Sequence, residues 1–179
     1  MLRPGVLRVI IVPSYAGDAM SSTSADTFTT TDCRCVSLRR AARADHEAVA
    51  MLLRDLELPT DGVSEWLDQF WVAEHQSEVV GVAGMERYGD SGLLRSVAVA
   101  REWRGTGVGR TLVERVLEEG RTAGVREVYL LTTTAEHYFP RLGFTCVDRE
   151  TVPAALHDSA EFTGACPASA VVMRRAATN

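Results

Sequence analysis

The chain has only four cysteines among its 179 residues, and their spacing fits neither a zinc site nor a disulfide framework. Cys33 and Cys35 are too close for a relaxed disulfide, and Cys146 and Cys166 have no second pair beside them. We therefore expect free thiols in a reducing cytoplasm and no bound metal.

Long apolar runs and an excess of positive charge are also missing. No stretch approaches the 18 consecutive apolar residues of a membrane-spanning helix. The 19 basic and 24 acidic side chains give a net charge of −5, which argues against a nucleic-acid-binding surface or a polybasic membrane patch. The length and charge predict one soluble, weakly acidic domain. The net negative charge does not exclude a small cationic pocket for an anionic cofactor.

The first 33 residues differ in composition from the rest. Residues 21–31 are rich in Ser and Thr and low in hydrophobicity, which is typical of a mobile leader. The apolar run 6–12 is short, is interrupted by Arg8 and is followed at once by Pro13, unlike a signal peptide. We expect a flexible leader over 1–33 and one folded domain over 34–179, with Met1 and Met20 both open as the biological start.

Apolar periodicity predicts alternating strands and helices. Strands are expected over 35–39, 71–74, 79–85, 93–100, 128–131, 144–147 and 170–173, and helices over 45–57, 66–70, 108–123 and 137–142. Asp45 is expected to cap the first helix, and Gly124 to end the helix 108–123. The order of elements predicts an α/β (α+β) domain with a mixed sheet and helices on both faces.

Three glycines at alternate positions precede the helix 108–123, in the segment Arg104-Gly105-Thr106-Gly107-Val108-Gly109. Their backbone N–H groups are unshielded by side chains and lie at the positive end of the helix macrodipole, which suits an anion such as a pyrophosphate. The spacing is not the Rossmann G-x-G-x-x-G, and the Gly-Lys-Ser/Thr of a phosphate loop is absent. A glycine turn without a ligand is the alternative interpretation.

With its context, this loop makes the chain resemble the GNAT superfamily of N-acetyltransferases over about residues 36–175. The family signature Arg/Gln-x-x-Gly-x-Gly/Ala follows a strand, and residues 104–109 match every defined position. The second family element, a strand and then an aromatic before Gly-Phe, is matched by residues 128–133 and 138–144. The resemblance implies the GNAT fold with a mixed, mostly antiparallel sheet, and acetyl-CoA as the co-substrate.

The same resemblance implies which residues bind the cofactor. Part of the strand would pair with the pantetheine arm, and backbone N–H groups of the loop would hold the pyrophosphate. The strand residues are Val97, Ala98 and Val99, and the loop residues are Arg104, Gly105, Thr106, Gly107, Val108, Gly109 and Arg110.

A narrower resemblance concerns the acceptor. Residues 131–139, 141–144 and 152–153 are similar to the acetyltransferase domain of N-acetylglutamate synthases, and residues 93–99 and 166–173 to small arsenic-resistance-associated acetyltransferases. This implies direct transfer of an acetyl group to a small, amino-acid-like amine. The alternatives are protein or peptide N-acetylation and a non-catalytic acetyl-CoA-binding module. Monomer and homodimer both stay open.

The catalytic groups are less well defined by the sequence. Many family members have a tyrosine four residues before the Gly-Phe glycine, where this chain has Phe139. Tyr138 lies one residue earlier and should point about 100° away from Phe139 around a helix. Tyr138 is either a general acid or a residue that packs or contacts the pantetheine. Glu86 is the candidate base, with a solvated carboxylate at the hairpin end as the alternative. Glu136 and His137 are further candidates.

Two polar residues are candidates for binding the substrate. Arg95 lies in an otherwise apolar strand, where an unpaired guanidinium would be costly. Its partner is either a substrate carboxylate, held by two parallel hydrogen bonds, or one of Glu86 and Asp90. Thr133 follows the strand 128–131, although ordinary β-propensity explains a threonine there equally well. We do not expect a covalent cysteine mechanism.

Overall fold

The computed structural model describes residues 35–177, so the predicted leader over 1–33 lies outside the described residues. Seven strands form one sheet in the order β1-β2-β3-β4-β5-β7-β6. They are β1 Ser37–Arg40, β2 Phe70–His75, β3 Glu78–Tyr88, β4 Ser91–Val99, β5 Glu127–Thr132, β6 Thr145–Val147 and β7 Val171–Ala176. Only β4 and β5 pair in parallel, which confirms a mixed, mostly antiparallel sheet.

Helices cover both faces of the sheet, as predicted. They are α1 His46–Asp55, α2 Val63–Trp66 and α3 Val108–Thr122. Met85 on β3 points to α3, because a Cβ on Gly120 would lie 2.7 Å from its sulfur. The next residue, Glu86, points to the opposite face, where its carboxylate lies near Gly62 at the start of α2. Gly124 follows α3 with φ +91°, which confirms the predicted glycine stop.

Two local predictions are corrected. Asp45 precedes α1 but makes no capping hydrogen bond. Its carboxylate instead accepts two hydrogen bonds from Arg39, at 2.7 and 2.8 Å, and one from the Ala42 N–H. A bidentate guanidinium contact is stronger than a neutral cap, so the carboxylate turns away from the helix.

The second correction concerns the short helices. The predicted helix 66–70 ends earlier: α2 is followed by one 3₁₀ turn, Leu67–Gln69, and Phe70 begins β2. The predicted helix 137–142 is reduced to a 3₁₀ turn, Phe139–Leu142. Segments of about one turn have too few backbone hydrogen bonds for periodicity to fix their type.

The feature of the fold that matters for function is a divergence of β4 from β5. Their pairing covers only Ser91–Leu93 against Glu127–Tyr129. Farther along, Arg95 pairs with Gly84 and Ala98 with Val82, so β4 carries one residue more than β3 between these pairs. Ser96 lies in this bulge with φ +54°. A bulge bends its strand, and here the bend accompanies an opening between two neighbouring strands.

Candidate active site

A cleft occupies the space between the diverging strands. Residues 94–97 of β4 form one wall, and Leu130, Leu131 and Phe139 form the other. Leu58 and Pro59, from the loop after α1, and the side chain of Glu161 complete the lining. The cleft therefore has apolar walls with two charged groups, Arg95 and Glu161, on one side.

The glycine-rich loop provides backbone donors at the N-terminus of α3. Gly107 precedes the helix with φ +93°, and Gly105 has φ +76°. The Thr111 N–H donates to the Gly107 carbonyl at 3.0 Å. The N–H groups of Val108, Gly109 and Arg110 come before that bond, so they have no acceptor within the helix and point out of its positive end. This arrangement suits a phosphate.

Arg104 adds a cation to the same loop. Its Nε donates to the Val99 carbonyl at 3.2 Å, which connects the loop to the end of β4. Its Nη2 is buried without a hydrogen-bond partner among residues 35–177, and burial lowers the pKa of the guanidinium. An unpaired buried donor beside a row of backbone donors fits an anionic group such as the pyrophosphate of CoA.

Residues 97–99 lie where a ligand could pair with the strand. Ala98 and Val99 pair with Val82 and Gly81 of β3 on one side. On the other side, the pairing of β4 with β5 ends at Leu93. The second edge of β4 therefore borders the cleft, as pairing with an extended pantetheine arm requires. The cofactor-binding roles of these residues and of the loop stay predictions.

Tyr138 and Phe139 point in different directions. Phe139 is fully buried, packs edge-on against Phe144 at 5.6 Å between ring centroids, and lines the cleft. Tyr138 is half-buried, and its hydroxyl lies 3.7 Å from where a Cβ on Gly109 would be. Burial raises the pKa of Tyr138. The phenol therefore adjoins the glycine-rich loop, and a role as general acid stays a prediction.

Arg95 is paired inside the protein, the second of its two predicted partnerships. Its side chain is 1% exposed, and its Nη1 donates to Glu86 rather than to Asp90. The Nη2 donates to the Asp61 carbonyl at 2.5 Å and lies 3.3 Å from Oε1 of Glu161. All of these contacts use the guanidinium atoms that a substrate carboxylate would need.

Glu86 is not a solvated carboxylate at a hairpin end, so that alternative was wrong. It is 1% exposed, because it faces α2 and pairs with Arg95 on the neighbouring strand. Its second oxygen accepts a hydrogen bond from the Tyr88 hydroxyl at 2.6 Å. Burial and this carboxylate raise the pKa of Tyr88. The role of Glu86 as a base stays a prediction.

Sequence reasoning missed Glu161 and the contact that Cys166 makes with it. Glu161 begins one turn of π-helix, Glu161–Ala165, and only 5% of it is exposed. The Cys166 thiol donates to its Oε2, and burial raises the pKa of that thiol well above its ordinary value. Cys35, Cys146 and Cys166 are all free thiols. No local pattern marks a single glutamate in this loop as buried, so the sequence held no signal for it.

The threonines after β5 have separate roles. Thr132 Oγ1 accepts hydrogen bonds from the backbone N–H groups of Thr134 and Ala135, at 3.3 and 3.0 Å, and so shapes the turn. Thr133 Oγ1 is buried and has no hydrogen-bond partner in the described part of the chain. Its predicted role in binding a ligand is therefore compatible with the geometry. Glu136 and His137 are exposed.

Residues 35–177 lack two features of other functional classes. They contain no cluster of three or more His, Cys, Asp or Glu side chains placed to hold a metal ion. Within the same residues, no helix has the length and apolarity to cross a membrane.

Comparisons with known proteins agree on one family. The profile of the Acetyltransferase (GNAT) domain matches residues 66–146. An amino-acid acetyltransferase of Mycobacterium tuberculosis is 34% identical over 137 residues, which cover 71% of this chain and 78% of that protein. The amino-acid acetyltransferase of Salmonella typhi is 29% identical over 125 residues, which cover 65% of this chain but 28% of that longer protein.

Solved structures show the same similarity. Rv2747 from Mycobacterium tuberculosis, in complex with CoA, has a TM-score of 0.67 and 28% identity, covering 78% of this chain and 98% of that one. The N-acetylglutamate synthase of Neisseria gonorrhoeae, complexed with CoA and N-acetyl-glutamate, has a TM-score of 0.72 at 21% identity. That match covers 81% of this chain and 36% of the synthase, and at this identity it shows a shared fold.

Proposed function

The chain belongs to the GNAT family of acetyltransferases and uses acetyl-CoA as its co-substrate, and from this premise we propose that its acceptor is a small, amino-acid-like amine. The observation that carries the proposal is the cleft between β4 and β5, whose lining includes Leu58 and Pro59 of the loop after α1 and Glu161 of the segment before β7. A cleft lined from several segments leaves more room for a small acceptor than for an extended peptide. The relatives named amino-acid acetyltransferases support the same acceptor class.

In the proposed reaction, backbone atoms of the chain bind and orient the co-substrate. Acetyl-CoA supplies an activated thioester when bound. The N–H groups of Val108, Gly109 and Arg110, with the Arg104 guanidinium, would hold its pyrophosphate. Residues 97–99 would pair with the pantetheine arm, which directs the thioester into the cleft. Apolar walls that include Leu131 and Phe139 exclude water from it.

The acceptor would approach from the side of α2, where the charged groups of the cleft lie. Only a neutral amine has the lone pair needed to attack the thioester carbon, so a group of the chain or water must take a proton. From the sequence, Glu86 is a candidate for this base, Tyr138 is a candidate for the acid that protonates the leaving thiolate, and Thr133 is a candidate substrate contact. Arg95 is less suited to hold a substrate carboxylate, because Glu86, Asp61 and Glu161 already engage it.

We further propose that the enzyme works in the cytoplasm and that residues 34–179 form its single domain. A chain of net charge −5 gives no reason to expect a nucleic acid as partner.

The experiment that tests the proposed function is acetyl-CoA turnover with a panel of acceptors. The release of free CoA is measured with each of the twenty amino acids, with peptides that begin with the same amino acid, and without an acceptor. We expect turnover with at least one free amino acid and much lower kcat/KM with the matching peptide. Faster reaction with peptides would favour peptide N-acetylation. Tight binding of acetyl-CoA without turnover on any acceptor would favour the non-catalytic binding module.

A further inference from the structure

We propose that Glu161 is the group that receives the acceptor's ammonium and takes its proton, a step that rests on the proposed function. Glu161 is one of the residues that line the cleft, whereas Glu86 is not. Its carboxylate lies 3.3 Å from the guanidinium of Arg95, another lining residue. Among the residues that line the cleft, Glu161 is the one that carries a carboxylate.

The charge of the buried network favours a cation at this place. Within residues 35–177, Arg95 is the guanidinium that contacts both of the buried carboxylates Glu86 and Glu161, so the formal charges of these three side chains sum to −1. A buried net charge is costly unless a proton or a counter-ion compensates it. An ammonium group in the cleft would supply the missing positive charge.

Other groups around Glu161 do not remove this imbalance. Cys166 and Tyr88 face the network as a protonated thiol and a protonated phenol, since burial raises both pKa values. Arg149 stacks on the Phe162 ring at 5.1 Å and is partly exposed, and Asp158 is exposed. These two outer charges have opposite sign and are screened by water more than the inner three.

The two carboxylates are also held differently by their neighbours. Glu86 accepts from Arg95 Nη1 and from the Tyr88 hydroxyl, so a strong donor occupies each oxygen. The Oε1 of Glu161 is 3.3 Å from Arg95 Nη2, longer than the 2.7–2.9 Å of a typical charge-assisted bond, and Oε2 accepts from a thiol, a weak donor. The hydrogen bonds within the protein therefore engage Glu161 less strongly than Glu86.

The step balances as follows. One proton moves from the acceptor's ammonium to Glu161 and later leaves to water. The freed nitrogen lone pair forms the C–N bond at the thioester carbon, and the C–S bond breaks with its electron pair on sulfur. The second proton lost from nitrogen ends on the CoA thiolate. The products are the N-acetylated amine, CoA and one released proton.

The test compares two isosteric variants, Glu161→Gln and Glu86→Gln, each of which removes one negative charge from Arg95. The probe is the amino acid of the acceptor panel with the highest kcat/KM. For Glu161→Gln we expect kcat at pH 7 to fall by about a hundredfold or more, with the acetyl-CoA affinity unchanged. The loss of kcat relative to the wild type should shrink about tenfold for each pH unit that the pH is raised towards the amine's own pKa. The fraction of amine that is already neutral in solution rises by that factor.

Glu86→Gln is the test of the competing assignment, in which Glu86 is the base, and a pH-dependent deficit in Glu161→Gln that Glu86→Gln does not share would support Glu161. A deficit of equal factor at every pH in Glu161→Gln would show a structural role and overturn the proposal. A pH-dependent deficit in Glu86→Gln alone would overturn it in favour of Glu86. If Glu161→Gln does not fold, Glu161→Asp keeps the charge but withdraws the carboxylate, and full kcat in that variant would contradict the proposal.

Failure of this inference is distinguishable from failure of the proposed function. A wild-type protein that binds acetyl-CoA but acetylates no amine contradicts the proposed function. A wild-type protein that acetylates an amino acid, with Glu161 variants that share its pH profile, contradicts this inference alone.

Discussion

The proposed site has two halves that are built differently. The proposed cofactor half consists of backbone atoms from one continuous stretch, the end of β4 and the loop into α3. The proposed acceptor half brings distant segments together: the Arg95 side chain of β4 meets the Asp61 carbonyl before α2, the Glu86 carboxylate of β3 and the Glu161 carboxylate before β7. The first half can bind the same group in many sequences, while the second can change with each substitution.

This difference has an energetic consequence. Backbone donors at a helix N-terminus are free in any case, so offering them to a ligand costs the fold little. A buried guanidinium between two carboxylates is held by mutual pairing, and the loss of one member leaves the others uncompensated. Changes in the acceptor half should therefore affect stability, and changes in the cofactor half should affect affinity.

The largest effect is expected from Arg95→Met, which leaves Glu86 and Glu161 without their cation. We expect the free energy of unfolding to fall by about 3–5 kcal/mol, measured by denaturant titration. Arg39→Met is the matched control, because Arg39 also bridges two carboxylates, Asp45 and Glu74, but is 38% exposed. Its loss should cost about 0–1 kcal/mol.

The same pair of variants can break the comparison. If Arg95→Met is as stable as Arg39→Met and instead raises KM for the amino acid tenfold or more, Arg95 holds a substrate carboxylate. The acceptor half would then resemble the cofactor half, as a ligand-binding surface with little structural role.

The smallest effect is expected from Tyr138→Phe. The hydroxyl adjoins the glycine-rich loop, so its loss should leave kcat at more than a tenth of the wild-type value. Tyr129→Phe, which removes a phenol bonded to Glu127 at 2.7 Å, is the control. Steady-state kinetics at saturating acetyl-CoA measures both. A loss of about a hundredfold, specific to Tyr138→Phe, would make this phenol the acid that protonates the leaving thiolate.

The sequence predicted the backbone of the glycine-rich loop and α3 better than the partners of Arg95, for a physical reason. Alternate glycines before an amphipathic helix form a local pattern, and α3 with Gly107 and Gly124 follows it closely. The strands followed their apolar runs in the same way. A local pattern is visible because the residues that interact are neighbours in the chain.

The acceptor half depends on contacts that no window of sequence contains. The sequence left two partners possible for Arg95, a substrate carboxylate or an internal carboxylate. Only the fold shows that Arg95 contacts Glu86 and also Asp61, which is 34 positions away along the chain. Glu161 lies in a loop whose sequence resembles an exposed segment. Asp45 is a smaller example, because its carboxylate binds Arg39 on β1 and does not cap the helix as the local sequence predicts.

The most direct test of the account measures acetyl-CoA binding by two glycine variants, Gly107→Ala and Gly124→Ala. Both glycines have φ near +90° with no atom within 4 Å of an added Cβ, and they lie at opposite ends of α3. Each substitution should cost a similar 1–2 kcal/mol of stability. We predict that calorimetry will show at least tenfold weaker binding for Gly107→Ala and wild-type Kd for Gly124→Ala. Equal affinities in the two folded variants would contradict a cofactor site built from the backbone of this loop.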